Sequence, residues 1–154
     1  MTMKKSTPLF MVFLLLVIAS MAQADTGLLN VQSQFGVEKT ADRFAAAATE
    51  AGLKVFNRID HAAGAAKVGK SLRPTQLIIF GSPKVGTALM TSDQRVGIDL
   101  PLKALVWQDA EGKVWLSYNS PDHVFNRFAI DDRPKVKGKV TGALDKFARH
   151  ATQP

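Results

Sequence analysis

Asp60 and His61 are adjacent, and their side chains are of the types that do acid–base or metal chemistry. An imidazole titrates near neutral pH and binds metals, and a nearby carboxylate can orient the ring. His61 is therefore the candidate catalytic residue or ligand. The alternative for Asp60 is the N-cap of a short helix, a position that Asp favours. Neighbours on a strand point to opposite sides, so cooperation between the two requires a turn here.

A second polar group follows the most apolar segment of the chain, Thr75 to Phe80. Ser82, Lys84 and Met90 lie in a segment that also contains glycine and proline. Two interpretations stay open: the glycines permit close backbone approach to a ligand with Lys84 supplying a positive charge at the rim, or the segment is a plain turn. Neither the Gly-x-x-x-x-Gly-Lys-Ser/Thr order of a phosphate loop nor the Gly-x-Ser-x-Gly elbow of a serine hydrolase is present.

The remaining candidates come from other parts of the chain. Asp99 and Lys103 flank Leu-Pro-Leu, and we expect them to form an ion pair that fixes the end of the loop, with acid–base work as the alternative. Phe80, Tyr118, the small residues 62–66 and the loop 81–90 are expected to line a concavity, with His61 and Lys84 as polar contacts. The candidate ligand-binding residues are thus Asp60, His61, Phe80, Ser82, Lys84, Met90, Asp99, Lys103 and Tyr118.

The sequence predicts no metal site. Its three histidines are His61, His123 and His150, and no two have the spacing of a helical ligand pair. A copper site would need His61, His123 and Met90 to be brought together by the fold. The lack of cysteine excludes disulfides, thiolate ligands and cysteine nucleophiles. Whether haem or a metal is bound, and hence the cofactor, stays open.

Residues 1–24 have the three parts of a secretory signal peptide. They contain Lys4 and Lys5, an apolar run from Leu9 to Ala19, and a small-x-small end at Ala24. The run is shorter than the roughly 20 residues of a spanning helix. We therefore expect cleavage after Ala24, a periplasmic or secreted protein, and no transmembrane segment in the mature chain. Nucleic acid is not an expected partner there, although cleavage lowers the net charge only from +7 to +5.

Hydrophobic periodicity predicts five strands and two main helices. Val37, Ala41, Phe44 and Ala48 form the apolar stripe of the first helix, and Val140, Leu144 and Phe147 that of the last. The predicted order is strand 28–35, helix 37–51, strand 53–60, short helix 61–71, strand 75–80, a long loop 81–101, strands 103–108 and 113–118 around a hairpin loop 109–112, short helix 121–129, a basic connector 131–138 and a final helix.

The second strand is the least regular of the five. Leu53, Val55 and Ile59 are predicted to face inward, but Phe56 and Asn57 interrupt the alternation. The β-α-β-β-β-β-α order favours a two-layer α+β fold, with the helices on one face of an antiparallel sheet.

The chain resembles the DUF302 family of bacterial domains of unknown function over about residues 27–130. The resemblance rests on five ordered segments: Ile59-Asp60-His61-Ala62-Ala63-Gly64-Ala65, Leu72-Arg73-Pro74-Thr75, Phe80 to Met90, Gly97 to Lys103, and Gly112 to Asn119. It implies a TBP-like fold with a curved sheet and no established reaction. A TBP-like fold gives no ground for DNA binding.

The resemblance also sets the expected domain limits. Residues 25–132 would form the DUF302-like domain, and residues 133–154 a basic connector and C-terminal helix outside it. The family usually has Asn at the position of Ser82.

Three hypotheses follow for function. The first is an exported domain that binds a small molecule. The second is an enzyme that uses His61 as an acid or base with Asp99 or Lys84. The third is a module that docks on another exported protein through its hydrophobic loop and basic tail.

Overall fold

A computed structural model of the chain describes residues 26–154, so the predicted signal peptide lies outside the described residues. Among these residues, no helix combines the length and apolar character needed to cross a membrane. The elements are β1 (Leu28–Ser33), α1 (Val37–Glu50), β2 (Lys54–Asp60), α2 (His61–Lys67), β3 (Thr75–Gly81), α3 (Pro83–Met90), a 3-10 helix (Gln94–Ile98), β4 (Leu102–Gln108), β5 (Val114–Asn119), α4 (Pro121–Arg127) and α5 (Pro134–Thr152).

The strands form one five-stranded sheet in the order β1-β5-β4-β3-β2. Every neighbouring pair is antiparallel, which confirms the predicted α+β arrangement. In the β4–β5 hairpin Trp107 lies directly opposite Trp115. Asp109 fixes the hairpin loop, since its carboxylate accepts hydrogen bonds from the backbone N–H groups of Glu111 and Lys113.

The core lies between one face of the sheet and the helices α1 and α5. Phe44 of α1 is its centre, with ring centroids 5.1 Å from Phe80 of β3 and 5.9 Å from Phe147 of α5. All three side chains are buried. Each large apolar side chain buried in this way contributes about 1.5–3 kcal/mol to folding. The apolar stripes predicted for the first and last helices therefore face the sheet.

A β-bulge in β2 explains the irregular pattern of that strand. Val55 pairs with Phe80 and Asn57 pairs with the preceding Ile79, which leaves Phe56 as the extra residue. A bulge reverses the faces of the residues that follow it. Arg58 consequently faces α1, where it forms an ion pair with Glu38. The prediction that Ile59 shares the inward face of Val55 is wrong.

The segment 81–101 is not the long loop that the sequence predicts. It forms α3 and the 3-10 helix, joined by a short turn. Pro83 occupies the first turn of α3, where its fixed φ suits a helix and its missing N–H costs nothing. Leu89 is buried on the inner side of α3. The glycines and prolines suggested a loop, but here they sit where a helix tolerates them.

The last helix also begins earlier than predicted. It starts at Pro134, again a proline in the first turn, and continues through the stretch predicted as a connector. Lys137, inside that stretch, forms an ion pair with Asp122 of α4. Further along α5, Lys139 and Val140 line a pocket that opens beside α3 and the end of β3.

Candidate functional site

An apolar pocket of about 400 Å³ lies at the end of the sheet where β3 runs into α3. Its walls come from β2, β3, α3, the 3-10 helix, the start of β4 and α5. The lining residues are Leu53, Phe56, Phe80, Gly81, Ser82, Pro83, Val85, Gly86, Met90, Gly97, Leu100, Pro101, Leu102, Lys139, Val140, Ala143, Leu144 and Phe147. The size is in the range of sites for small molecules.

Gly86 is the point of α3 at which the pocket wall carries no side chain. A Cβ atom added at Gly86 would lie 3.7 Å from Leu100 Cδ1 and 3.9 Å from Met90 Cε, which are side chains of the pocket wall. Glycine at this point therefore leaves open a space that a larger side chain would fill. Gly86 costs α3 some helix stability, about 0.5–1 kcal/mol relative to alanine.

The wall is apolar apart from two side chains. Ser82 and Lys139 supply the hydroxyl and ammonium groups among the lining residues. Ser82 is the N-cap residue of α3, but its hydroxyl makes no capping hydrogen bond. The deep wall contains buried Phe80, Leu144 and Phe147. Such a surface excludes water and favours apolar ligand groups.

Exposed apolar residues flank the pocket. Phe56, at the β-bulge, lines it and is 44% exposed. Ile98, next to lining residue Gly97, is 73% exposed. The Lys54 ammonium lies 5.3 Å from the ring centroid of Phe56.

Three of the residues predicted from the sequence meet in this pocket: Phe80, Ser82 and Met90. Lys84, Asp99 and Lys103 each neighbour a lining residue in the chain but do not line the pocket themselves. The small residues 62–66 are also absent from its wall.

Asp60 and His61 lie at the start of α2, away from the pocket. The Asp60 carboxylate accepts a hydrogen bond of 2.9 Å from the Ala63 backbone N–H, so Asp60 caps the helix. His61 is the exposed first residue of α2. Asp60 therefore has the structural role, helix N-cap, that the sequence offered as the alternative to acid–base chemistry.

The expected Asp99–Lys103 ion pair is wrong. Asp99 Oδ1 and Oδ2 accept hydrogen bonds from Arg127 Nη1 at 3.0 and 3.1 Å. Lys103 Nζ donates instead to the backbone carbonyl of Asp99, at 3.2 Å. Because Arg127 lies on α4, the Asp99 carboxylate connects the end of the 3-10 helix to α4.

Tyr118 lies on the face of β5 that packs against the helices. It is buried, and burial raises the pKa of its hydroxyl, with a further increase from the Asp145 carboxylate that the Arg149 guanidinium partly offsets. The pKa of Asp109 is lowered, chiefly by the hydrogen bond from Trp115 Nε1. Neither group belongs to the pocket.

Residues 26–154 contain no cluster of three or more His, Cys, Asp or Glu side chains that could hold a metal ion. The lining residues outside the predicted candidates and the 81–90 segment include Phe56, Lys139, Val140 and Ala143. For the three residues on α5, the apolar stripe through Val140 and Leu144 could have been extended back to Val136. No sequence pattern pointed to Phe56.

The sequence model of the family described as "Domain of unknown function DUF302" matches residues 29–150. The chain belongs to the DUF302 family. The match runs through most of α5, beyond the domain limit at residue 132 expected from the sequence.

The fold is also that of a solved DUF302 protein. The crystal structure of an uncharacterized conserved DUF302 protein from Bacillus stearothermophilus superposes with a TM-score of 0.73 at 15% sequence identity. The superposition covers 83% of this chain and 99% of that one. At this identity the likeness shows the fold alone.

Curated relatives are found in Brucella. The chain is 45% identical over 128 residues to fluoride-specific ion channel FluC 1 of Brucella suis biovar 1, covering 80% of this chain and 50% of that protein. FluC 2 of Brucella melitensis biotype 1 is equally similar, with 47% of its length covered. The DUF302 chain thus spans about half the length of these relatives.

Proposed function

We propose that this DUF302 protein is an exported domain that binds a small, largely apolar molecule in the pocket between α3 and α5. The observation that carries the proposal is a cavity of about 400 Å³ whose wall is apolar except for Ser82 and Lys139. A void of that size has room for roughly a dozen water-sized groups. Releasing water from apolar walls to a matching ligand favours binding.

A binding role fits the pocket better than catalysis. An enzyme site gathers titratable groups with perturbed pKa values. The groups with shifted pKa values among the described residues are Asp93, Arg95, Asp109 and Tyr118, and none of them lines the pocket. The enzyme hypothesis pairs His61 with Asp99 or Lys84, but the Asp99 carboxylate is held by Arg127 and His61 does not line the pocket.

Native mass spectrometry of the protein purified from its own host tests the proposal. Gly86→Leu fills the pocket, whereas Gly64→Leu is the matched control, because a Cβ at Gly64 meets nothing within 4 Å. We expect a bound small molecule in the wild type and in Gly64→Leu, and its loss in Gly86→Leu. Equal occupancy in both variants, or an empty wild type that also takes up no added apolar molecule, would contradict the proposal.

Export of the domain is a separate part of the proposal. It rests on the composition of residues 1–24. Intact-mass measurement of the protein from a periplasmic extract should give a chain that begins at Asp25. A full-length chain in the cytoplasmic fraction would contradict export.

The Brucella relatives favour a second candidate, a module that works beside a fluoride-specific ion channel. Fluoride itself does not suit the pocket, since an apolar wall cannot replace the hydration of a small anion. The module would act on the channel by contact. Fluoride efflux from proteoliposomes containing the Brucella suis protein, with and without its matched region, tests this role. Unchanged efflux would exclude it.

A further inference from the structure

We propose that the ligand of this pocket is an amphiphile with one anionic group, and that Lys139 determines that preference. The inference rests on the proposed function and names the class of ligand. Among the lining residues Lys139 is the one charged side chain, and none of them is a carboxylate. The pocket therefore offers apolar groups everywhere except at the Ser82 hydroxyl and one cation.

Lys139 is available for such a contact. Its neighbour on α5, Lys137, is engaged in an ion pair with Asp122. Within residues 26–154, the ion pairs involve Arg58, Arg95, Arg127, Arg133 and Lys137, and Lys139 is not among them. An anion placed there would be the missing partner.

The structure places a second cation at the pocket wall. The Lys54 ammonium lies 5.3 Å from the ring centroid of Phe56, which lines the pocket. Two cations beside a wall without carboxylates attract anions and repel cations.

The burial of the lining residues determines the orientation of the ligand in the pocket. The deep wall at Phe80, Leu144 and Phe147 is buried and apolar, and an unpaired charge there would lose its hydration without compensation. Lys139 is exposed, so an anionic group beside it keeps contact with water. The apolar body consequently points inward and the anionic group lies at the mouth.

Three probes of equal length separate the charge from the apolar body: octanoate, octanol and octylammonium. We expect the wild type to bind octanoate most tightly and octylammonium most weakly, as measured by isothermal titration calorimetry. Lys139→Gln should weaken octanoate about fivefold and leave octanol unchanged. Lys135→Gln is the control, because Lys135 is exposed on the same helix and does not line the pocket. It should have little effect on any probe.

Salt provides a second readout. Raising the ionic strength should weaken octanoate binding to the wild type and leave octanol binding unaffected or stronger. Octanol binding as tight as octanoate, or octanoate binding unchanged in Lys139→Gln, would overturn the anionic preference while the pocket remains a binding site. Failure of all three probes to bind would count against the proposed function itself.

Discussion

The ring of Phe80 lies edge to face against the ring of Phe44, with 5.1 Å between the two centroids. The same Phe80 side chain lines the pocket. One residue therefore belongs both to the core that holds α1 on the sheet and to the wall that would meet a ligand. The inner wall of the pocket is therefore part of the buried core.

Phe80→Ala should lower the free energy of unfolding by about 3–5 kcal/mol, because it removes a buried ring and leaves a cavity beside Phe44. Urea unfolding measures the loss. Phe56→Ala is the matched control, since Phe56 also lines the pocket but is 44% exposed at a bulge. It should cost less than about 1 kcal/mol. Similar losses in the two variants would contradict this description of the wall.

The Asp99–Arg127 ion pair should show measurable coupling. Arg127 is half exposed, so solvent screening limits the coupling free energy to about 0.5–1 kcal/mol in a double-mutant cycle of Asp99→Asn and Arg127→Gln. A second cycle with Lys103→Gln should give almost none, because Lys103 donates to the Asp99 backbone carbonyl. Stronger coupling to Lys103 than to Arg127 would refute the assignment.

Tyr118 should make the protein less stable at alkaline pH. Burial raises the pKa of its hydroxyl above the ordinary value of 10.0. The unfolded chain then loses this proton first, so the contribution is complete below about pH 10 and falls as pH rises towards the folded-state pKa. Urea unfolding of the wild type and Tyr118→Phe across this range tests the effect. Tyr118→Phe should lose stability less steeply; identical slopes would contradict the account.

Gly27→Ala should destabilise the start of β1. Gly27 has φ of +68°, and an added Cβ would lie 2.1 Å from the ring carbon Cγ of His123, so the ring must move. Gly52→Ala measures the cost of the positive φ alone, because Gly52 has φ of +79° and open space around its Cβ position. Backbone strain alone costs about 1–2 kcal/mol. Thermal unfolding should show a clearly larger loss for Gly27→Ala than for Gly52→Ala.

The sheet and the two packing helices could be predicted from periodicity. Helices such as α1 bury one face, which imposes a period of about three and a half on the sequence, whereas β3 was visible as a continuous apolar run. The bulge at Phe56 broke the alternation of β2, and the inward assignment of Ile59 failed for that reason. Local pattern cannot show which of two neighbouring residues is the extra one.

Only part of the pocket wall could be predicted from the sequence. Phe80, Ser82 and Met90 are close together in the chain, and all three line it. Lys139 and Val140 reach it from α5, and nothing local connects residues so far apart in sequence. The polar, basic composition of residues 131–138 predicted a connector and hid the first turn of α5, which begins at Pro134.

Asp60 and His61, the acid and imidazole that stood out in the sequence, lie outside the pocket. Asp60 is an N-cap residue, and its hydrogen bond to the Ala63 N–H satisfies a helix end. A structural Asp-His pair at the end of a strand has the same residue types as a catalytic pair. Only the geometry distinguishes the structural pair from the catalytic one. The fold places the pair at the exposed start of α2.

Chemical-shift mapping with octanoate tests the central claim most directly. In two-dimensional amide spectra of the protein, saturable shifts should cluster at Gly81, Gly86, Gly97 and Val140, which line the pocket from three separate parts of the chain. Amides of α2 around His61 and of the hairpin around Trp107 should not move. Shifts centred on His61 or Trp107, or no saturable shift at the pocket, would contradict a binding site between α3 and α5.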